Sequence, residues 1–230
     1  MALRRLLAAL TELVLPQACG GCAAPGTPWC RACAACLGPP AAAEIPDGRR
    51  GPIPVLAAGR YSGPLRAAVL EYKERGRREL ARPLAALLAG PLRAALPGEP
   101  SRAPPVWLGP APSRAAAARA RGGDHVLRLC RLLAARSAPG EVAQVRVARA
   151  LQLTAGVSDS VGLDAAQRAA NLAGRLRLRA GALPAPGGAV LLVDDIVTTG
   201  ATLRACRAAL VDADLRVERA IVICDATRGP

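Results

Sequence analysis

The 230 residues suffice for one α/β domain with a small appendage, and 52% of them are hydrophobic, so a full core can be buried. That core has to be aliphatic, because the chain has two Trp, two Tyr and no Phe, a supply too thin for a surface that stacks on unpaired bases. The 31 basic and 17 acidic residues give a formal charge of +14. The arginines are dispersed rather than clustered, which fits a general basic surface better than a dedicated nucleic-acid stripe.

In chain order, Leu3, Leu6, Leu7, Leu10, Leu13 and Val14 recur at helical spacing and predict an amphipathic first helix. Thr11 and Glu12 interrupt the apolar run and no small-x-small cleavage site follows, so a signal peptide is disfavoured. No stretch is long and apolar enough to span a bilayer, so no membrane insertion is expected and the chain reads as cytoplasmic with reduced thiols.

The segment "CGGCAAPGTPWCRACAAC" holds five of the eight cysteines. Cys19-x-x-Cys22 and Cys30-x-x-Cys33 make two knuckles, each presenting two thiolates from a tight turn, as a closed structural Zn²⁺ site requires. Cys33 with Cys36 is an alternative second knuckle. Cys130, Cys206 and Cys224 sit in helix or strand patterns and are expected in the core. "LGPPAAAEIPDGRRGPIP" then reads as a linker or wrapping loop.

Beyond it, helices are predicted in "GPLRAAVLEYKERG", "ELARPLAALLAGPLRAAL", the C-terminal side of "SRAAAARARGGDHVLRLCRLLAARS", "LDAAQRAANLAGRL" and "GATLRACRAALVDA". Strands are predicted in "PVWLGPAP", "QVRVARAL", "GAVLLVDDIV" and "RVERAIVICDA". This alternation implies an α/β fold with a mostly parallel sheet flanked by helices. Residues 1–50 are expected to form the first helix, the zinc module and a linker, and residues 51–230 the α/β domain.

The stretch "VLLVDDIVTTGATL" carries most chemistry. Ala189 to Val193 have the length and branching of a central strand, which puts Asp194 and Asp195 at its carboxyl end, where α/β sheets bind ligands. The following turn enters a helix whose free amides favour an anion, with Gly200 allowing close backbone approach and Thr198, Thr199 and Thr202 adding hydroxyls. The acids can accept from sugar hydroxyls or contact a phosphate-bound Mg²⁺. A phosphorylated sugar fits this pattern better than a simple helix cap, which needs one such residue, or a receiver-type acid pocket, which draws its groups from separate strands.

Asp194 to Thr202 resembles the phosphoribosyl pyrophosphate (PRPP) motif of type I phosphoribosyltransferases. The wider chain resembles the ComF family, amidophosphoribosyltransferase-like proteins linked to competence and DNA uptake. The cysteine knuckles, Tyr61 with Leu70 to Gly76, "LGPAPSRAAAARARGGDHV" and "DSVGLDAAQRAANLAG" carry that likeness. It implies the type I phosphoribosyltransferase fold with an N-terminal zinc module. It also implies PRPP with Mg²⁺ on its pyrophosphate. Thr198, Thr199, Gly200, Ala201 and Thr202 would hold the 5′-phosphate, and Asp194 and Asp195 the ribose hydroxyls. Arg114 and Arg121 are candidates for pyrophosphate contacts beside Pro110 to Ser113, Arg168 and Asn171 belong to a flap-like segment, and Lys73, the only lysine, is a further candidate. Gly122-Gly123-Asp124-His125 replaces the family's usual Gly-Phe-Asn-Gln, and His125 is expected to start a helix or lie on the surface rather than act in catalysis. No Ser-His-Asp or Cys-His set is legible. Two functions follow: an enzyme transferring phosphoribose to an unknown acceptor, or a non-catalytic PRPP or nucleotide sensor in DNA uptake, acting through DNA-uptake proteins or single-stranded DNA.

Overall fold

The computed structural model describes residues 17–96, 105–136, 144–154 and 174–227. The first predicted helix and the one expected in "LDAAQRAANLAGRL", with Arg168 and Asn171, fall largely or wholly outside them. After the cysteine turn come helix α1 (Arg31–Ala35), strands β1 (Ala41–Ile45) and β2 (Ile53–Arg60), and helices α2 (Gly63–Glu74), α3 (Ala81–Leu87) and α4 (Ala89–Ala95). Strand β3 (Val106–Pro110), helices α5 (Ala115–Ala120) and α6 (His125–Arg136), and strands β4 (Val145–Val147), β5 (Leu151–Leu153) and β6 (Leu176–Leu178) follow. Strand β7 (Val190–Val197), helix α7 (Ala201–Val211) and strand β8 (Ala220–Asp225) complete the order.

Six strands form the main sheet in the order β1-β2-β8-β7-β3-β4, parallel except for β1, which pairs antiparallel with β2. The expected mostly parallel α/β sheet is therefore present. The run read as a linker supplies the edge strand β1, because Ala41 to Ile45 is free of proline and can pair with β2 even though prolines bracket it. The line between residues 50 and 51 falls inside the β1–β2 hairpin. A second ribbon, β5 with β6, was not anticipated; each strand has only three residues.

Strand alternation divides the core between the two sheet faces. Leu191 and Val193 of β7 and Ile221 and Ile223 of β8 pack with α2, α3 and α6 through Val69, Leu84 and Leu129. Val190, Leu192 and Val222 face the other way, onto Leu203 and Leu210 of α7. Tyr72 is the largest fully buried side chain among the described residues. Its hydroxyl donates to the carbonyl of His125 at 2.8 Å, fastening the end of α2 to the start of α6.

The cysteine segment is seated directly on α2. A side chain on Gly21 would stand 2.8 Å from Pro64 and one on Gly20 3.4 Å from the Cα of Ala68, both in α2, and the latter also 2.8 Å from the tip of Leu80, so either would force a neighbour to shift. Arg77 also donates to the carbonyl of Ala18.

At the far end of β7, Gly200 has φ 71° and a Cβ there would lie 2.2 Å from Cγ2 of Ile45. Glycine is thus demanded twice, by the left-handed backbone and by the edge strand pressed against it. Gly200→Ala is expected to lower stability by about 2–4 kcal/mol, combining left-handed strain with overpacking. Urea unfolding measures this, and a cost under about 0.5 kcal/mol would mean that Ile45 gives way freely.

Candidate functional site

Strand β7 runs through both acids to Val197, as the run "GAVLLVDDIV" predicts. The reason is that β8 keeps pairing with it, Asp194 opposite Val222 and Val197 opposite Asp225, while pairing with β3 ends at Pro110 opposite Val193. The acids therefore stand where β7 outruns β3. Here too the chain reverses its direction of travel across the sheet, placing β4 on one side of β3 and β7 on the other, the kind of crevice that binds ligands in open α/β sheets.

Being neighbours in a strand, the acids follow opposite faces. Asp195 keeps the parity of Val193 and points toward α2 and α6, where it is 3% exposed. Its Oδ2 accepts from Lys73 Nζ at 2.9 Å and His125 Nε2 at 2.7 Å, and its Oδ1 from the amide of Ile196 at 2.7 Å. Burial opposes ionisation of Asp195, but the His125 hydrogen bond and the Lys73 charge outweigh it and hold the carboxyl well below the usual range. Burial alone would lower the Lys73 ammonium, yet the nearby Asp195 raises it overall, so the pair is a true ion pair. Asp194 is half-buried, and burial followed by the Asp195 charge pushes it well above the carboxylate norm, toward its neutral form.

His125 begins α6, as expected, but it is buried, 4% exposed, rather than on the surface. Its Nδ1 lies 3.2 Å from Ser113 Oγ. Asp124 caps the same helix by accepting from the amide of Leu127 at 3.1 Å, and it also accepts from the amide of Ser113 at 3.4 Å. A Ser113–His125–Asp195 chain therefore exists that sequence order hid. The one usable signal was the single histidine following a capping aspartate.

The turn after β7 leaves Thr198 and Thr199 exposed and Gly200 buried under Ile45. Gly200 thus gives close approach to protein on one side while the hydroxyl side stays open. It offers no side-chain cap to α7, whose first amides have no intrahelical partner. Arg204 Nη1 donates to the Thr199 carbonyl at 2.8 Å and braces the turn, a part that the sequence did not single out. Of the arginines expected near the crevice, Arg114 is exposed at the start of α5. Arg121 reaches the carbonyl of Lys73 at 3.3 Å and is itself held by Arg78 Nε on its own carbonyl at 3.1 Å. Arg121 thereby ties the end of α2 to the segment leading into α6.

The other constellation is the cysteine cluster. The Sγ atoms of Cys19, Cys22, Cys30 and Cys33 all lie within 4.8 Å of one another, with Cys19–Cys33 and Cys22–Cys30 at 3.6 Å. Tetrahedral thiolates at Zn–S bond length stand about 3.8 Å apart, so the donor set fits that ion. Burial works against the Cys19 thiolate, but the amides of Cys22, Cys30 and Gly21 prevail and bring it down to about 6, while burial and its neighbours drive Cys33 up. Cys36 is exposed at the end of α1, outside the cluster, and Cys130, Cys206 and Cys224 are core residues.

Asp195→Asn is expected to lower stability by about 3–5 kcal/mol at neutral pH, the usual cost of breaking a buried pair. Because the folded carboxyl is depressed, its contribution is complete above the ordinary carboxylate pKa of about 4 and fades as the pH falls below it, so the variant and wild type should converge in acid. Asp194→Asn, replacing an acid already pushed toward neutrality, should change stability by less than about 1 kcal/mol. Urea unfolding across pH distinguishes the two, and equal losses would deny Asp195 its separate place.

Among the described residues no helix is long and apolar enough to cross a membrane. No protein-family model matches the chain. An orotate phosphoribosyltransferase of Acidithiobacillus ferrooxidans is 46% identical over 57 residues, which is 25% of this chain and 29% of that protein. Among solved structures, a hypoxanthine phosphoribosyltransferase from Trypanosoma cruzi shares 20% identity at a TM-score of 0.34, covering 68% of this chain and 71% of its own. One from Staphylococcus aureus shares 14% at 0.33, covering 63% and 62%.

Proposed function

We propose that the chain is a PRPP-binding protein with the type I phosphoribosyltransferase fold and of the ComF type, transferring phosphoribose to a nucleophile with release of pyrophosphate. The observation that carries the reading is the β7–turn–α7 unit. It sets an acid pair, an exposed hydroxyl turn and a helix start whose first amide, that of Ala201, reaches only the Thr199 hydroxyl at 3.4 Å, in sequence beside the crevice between β3 and β7. The short stretch of likeness to an orotate phosphoribosyltransferase supports the same reading.

In this reading the residues from Thr198 to Thr202 hold the 5′-phosphate through hydroxyls and helix amides. The ribose hydroxyls fall first to Asp194, since Asp195 already accepts from three donors. Asp195 then serves mainly to fix Lys73 and His125 at the rim. As pyrophosphate departs, negative charge grows on the leaving oxygens, and Lys73, exposed Arg114 and Arg168 of the flap-like segment are the cations assigned to it, with Arg121 bracing Lys73 from behind. Mg²⁺ bound with the pyrophosphate would supply further charge neutralisation. The four clustered cysteines hold a structural Zn²⁺ that stiffens the segment seated on α2. The ComF likeness extends the reading to DNA uptake, with the dispersed basic surface as its contact.

Calorimetry with PRPP and Mg²⁺, run beside a pyrophosphate-release assay, tests the core. Thr198→Ala with Thr202→Ala should weaken PRPP by at least about tenfold, the loss of two charge-assisted hydrogen bonds. No binding to the folded wild type refutes the reading. Reduced protein should carry about one equivalent of zinc, and Cys22→Ser with Cys30→Ser less than about half of one. Metal analysis that finds no zinc in wild type removes the zinc assignment.

A further inference from the structure

We propose that Ser113, His125 and Asp195 form a proton relay serving the incoming nucleophile, so that the acceptor is a neutral nitrogen or oxygen nucleophile with a proton to lose. The inference rests on the phosphoribosyl reading and specifies the acceptor class that reading leaves open.

The contacts set the direction of the relay for the neutral imidazole that a proton acceptor has to be. Asp195, held as a carboxylate by Lys73 at 2.9 Å and the Ile196 amide at 2.7 Å, can only accept, so the proton in its 2.7 Å contact with His125 belongs to Nε2. A neutral imidazole protonated on Nε2 leaves Nδ1 as an acceptor, and the hydroxyl within 3.2 Å is that of Ser113, which therefore donates to it. The lone pairs of the half-buried Ser113 oxygen then remain for a donor arriving from the crevice.

The sheet places this chain across the ligand crevice. Pro110 of β3 stands opposite Val193 of β7. Ser113 follows the first strand's end and Asp195 the last shared rung of the second, with His125 of α6 bridging them. The other groups around the imidazole are Lys73 and Tyr72 from α2, whose ring centroid is 6.0 Å away, and the capping Asp124.

In the step, the lone pair of the nucleophile forms the bond to C1 of the ribose. The C1–O bond breaks and its electron pair leaves on pyrophosphate. The nucleophile's proton passes to the Ser113 oxygen while the Ser113 proton passes to His125 Nδ1, and the resulting imidazolium is held against the Asp195 carboxylate. Ser113 is the catalytic group and His125 acts through it. An anion that arrives already ionised has no use for the relay.

Two simple nucleophiles separate these cases: hydroxylamine, which must shed a proton, and azide, which has none. Pyrophosphate release from PRPP and Mg²⁺ is measured with each at neutral pH, with PRPP affinity followed by calorimetry. His125→Gln and Ser113→Ala are expected to slow the hydroxylamine reaction about 10²-fold and the azide reaction at least tenfold less, with Ser113→Thr restoring most of the rate. Loss shared equally by both nucleophiles in both variants overturns the relay and leaves the phosphoribosyl reading intact. Wild type that binds PRPP but releases pyrophosphate with neither nucleophile also overturns it. Wild type that fails to bind PRPP refutes the underlying reading instead.

Discussion

A carboxylate withdrawn from water must be repaid by partners, and Asp195 organises the crevice by recruiting them. Lys73 comes from the last turn of α2 and His125 from the first residue of α6. One end of each helix is consequently tied to β7. The Tyr72 hydroxyl binds the same two helix ends together, and the Arg121 guanidinium ties the end of α2 to the segment before α6, so the placement of the ion pair does not depend on the charges alone. Removing any one member leaves polar groups stranded in an apolar layer built from Val69, Leu129, Val193 and Ile223.

The pleat of β7 turns two adjacent aspartates into different devices. One is ionised, buried and committed to protein partners. The other, on the opposite parity, is half-buried, disposed to be neutral and nearer in role to the ligand turn. Their mutual repulsion contributes to this division, since the charge on Asp195 is one of the causes that raise Asp194. Separation of the two pKa values lets one site carry a fixed charge and an adaptable hydrogen-bonding acid side by side.

Local chemistry was legible in the sequence and distant chemistry was not. The knuckles of Cys19, Cys22, Cys30 and Cys33 and the turn from Thr198 to Thr202 announce themselves because spacing within a few residues fixes their geometry. The extent of β7 could be read from the run "GAVLLVDDIV", but its support could not: β8 goes on pairing with the acids after β3 has ended. The edge strand β1 was hidden by flanking prolines and by alanines that carry little periodic signal. His125 was undervalued because its partner lies 70 residues away, on a strand that only the folded sheet brings near. The direction in which Arg121 points was equally out of reach, since its contact on Lys73 lies 48 residues upstream.

The seating of Gly200 against Ile45 has a kinetic consequence. Asp47, just past the end of β1, is paired with Arg207 of α7 across 160 residues of sequence, at 3.3 Å, and Arg207 also donates to the Gly51 and Arg50 carbonyls. The hydroxyl turn is thus moulded between its own strand and a hairpin synthesised long before it. Contacts of such high sequence separation are entropically costly to close and form late. During synthesis the N-terminal hairpin must wait, its edge unpaired on the β8 side, until β7, α7 and β8 have emerged. The part of the molecule most suited to gripping a ligand is therefore among the last to acquire its shape.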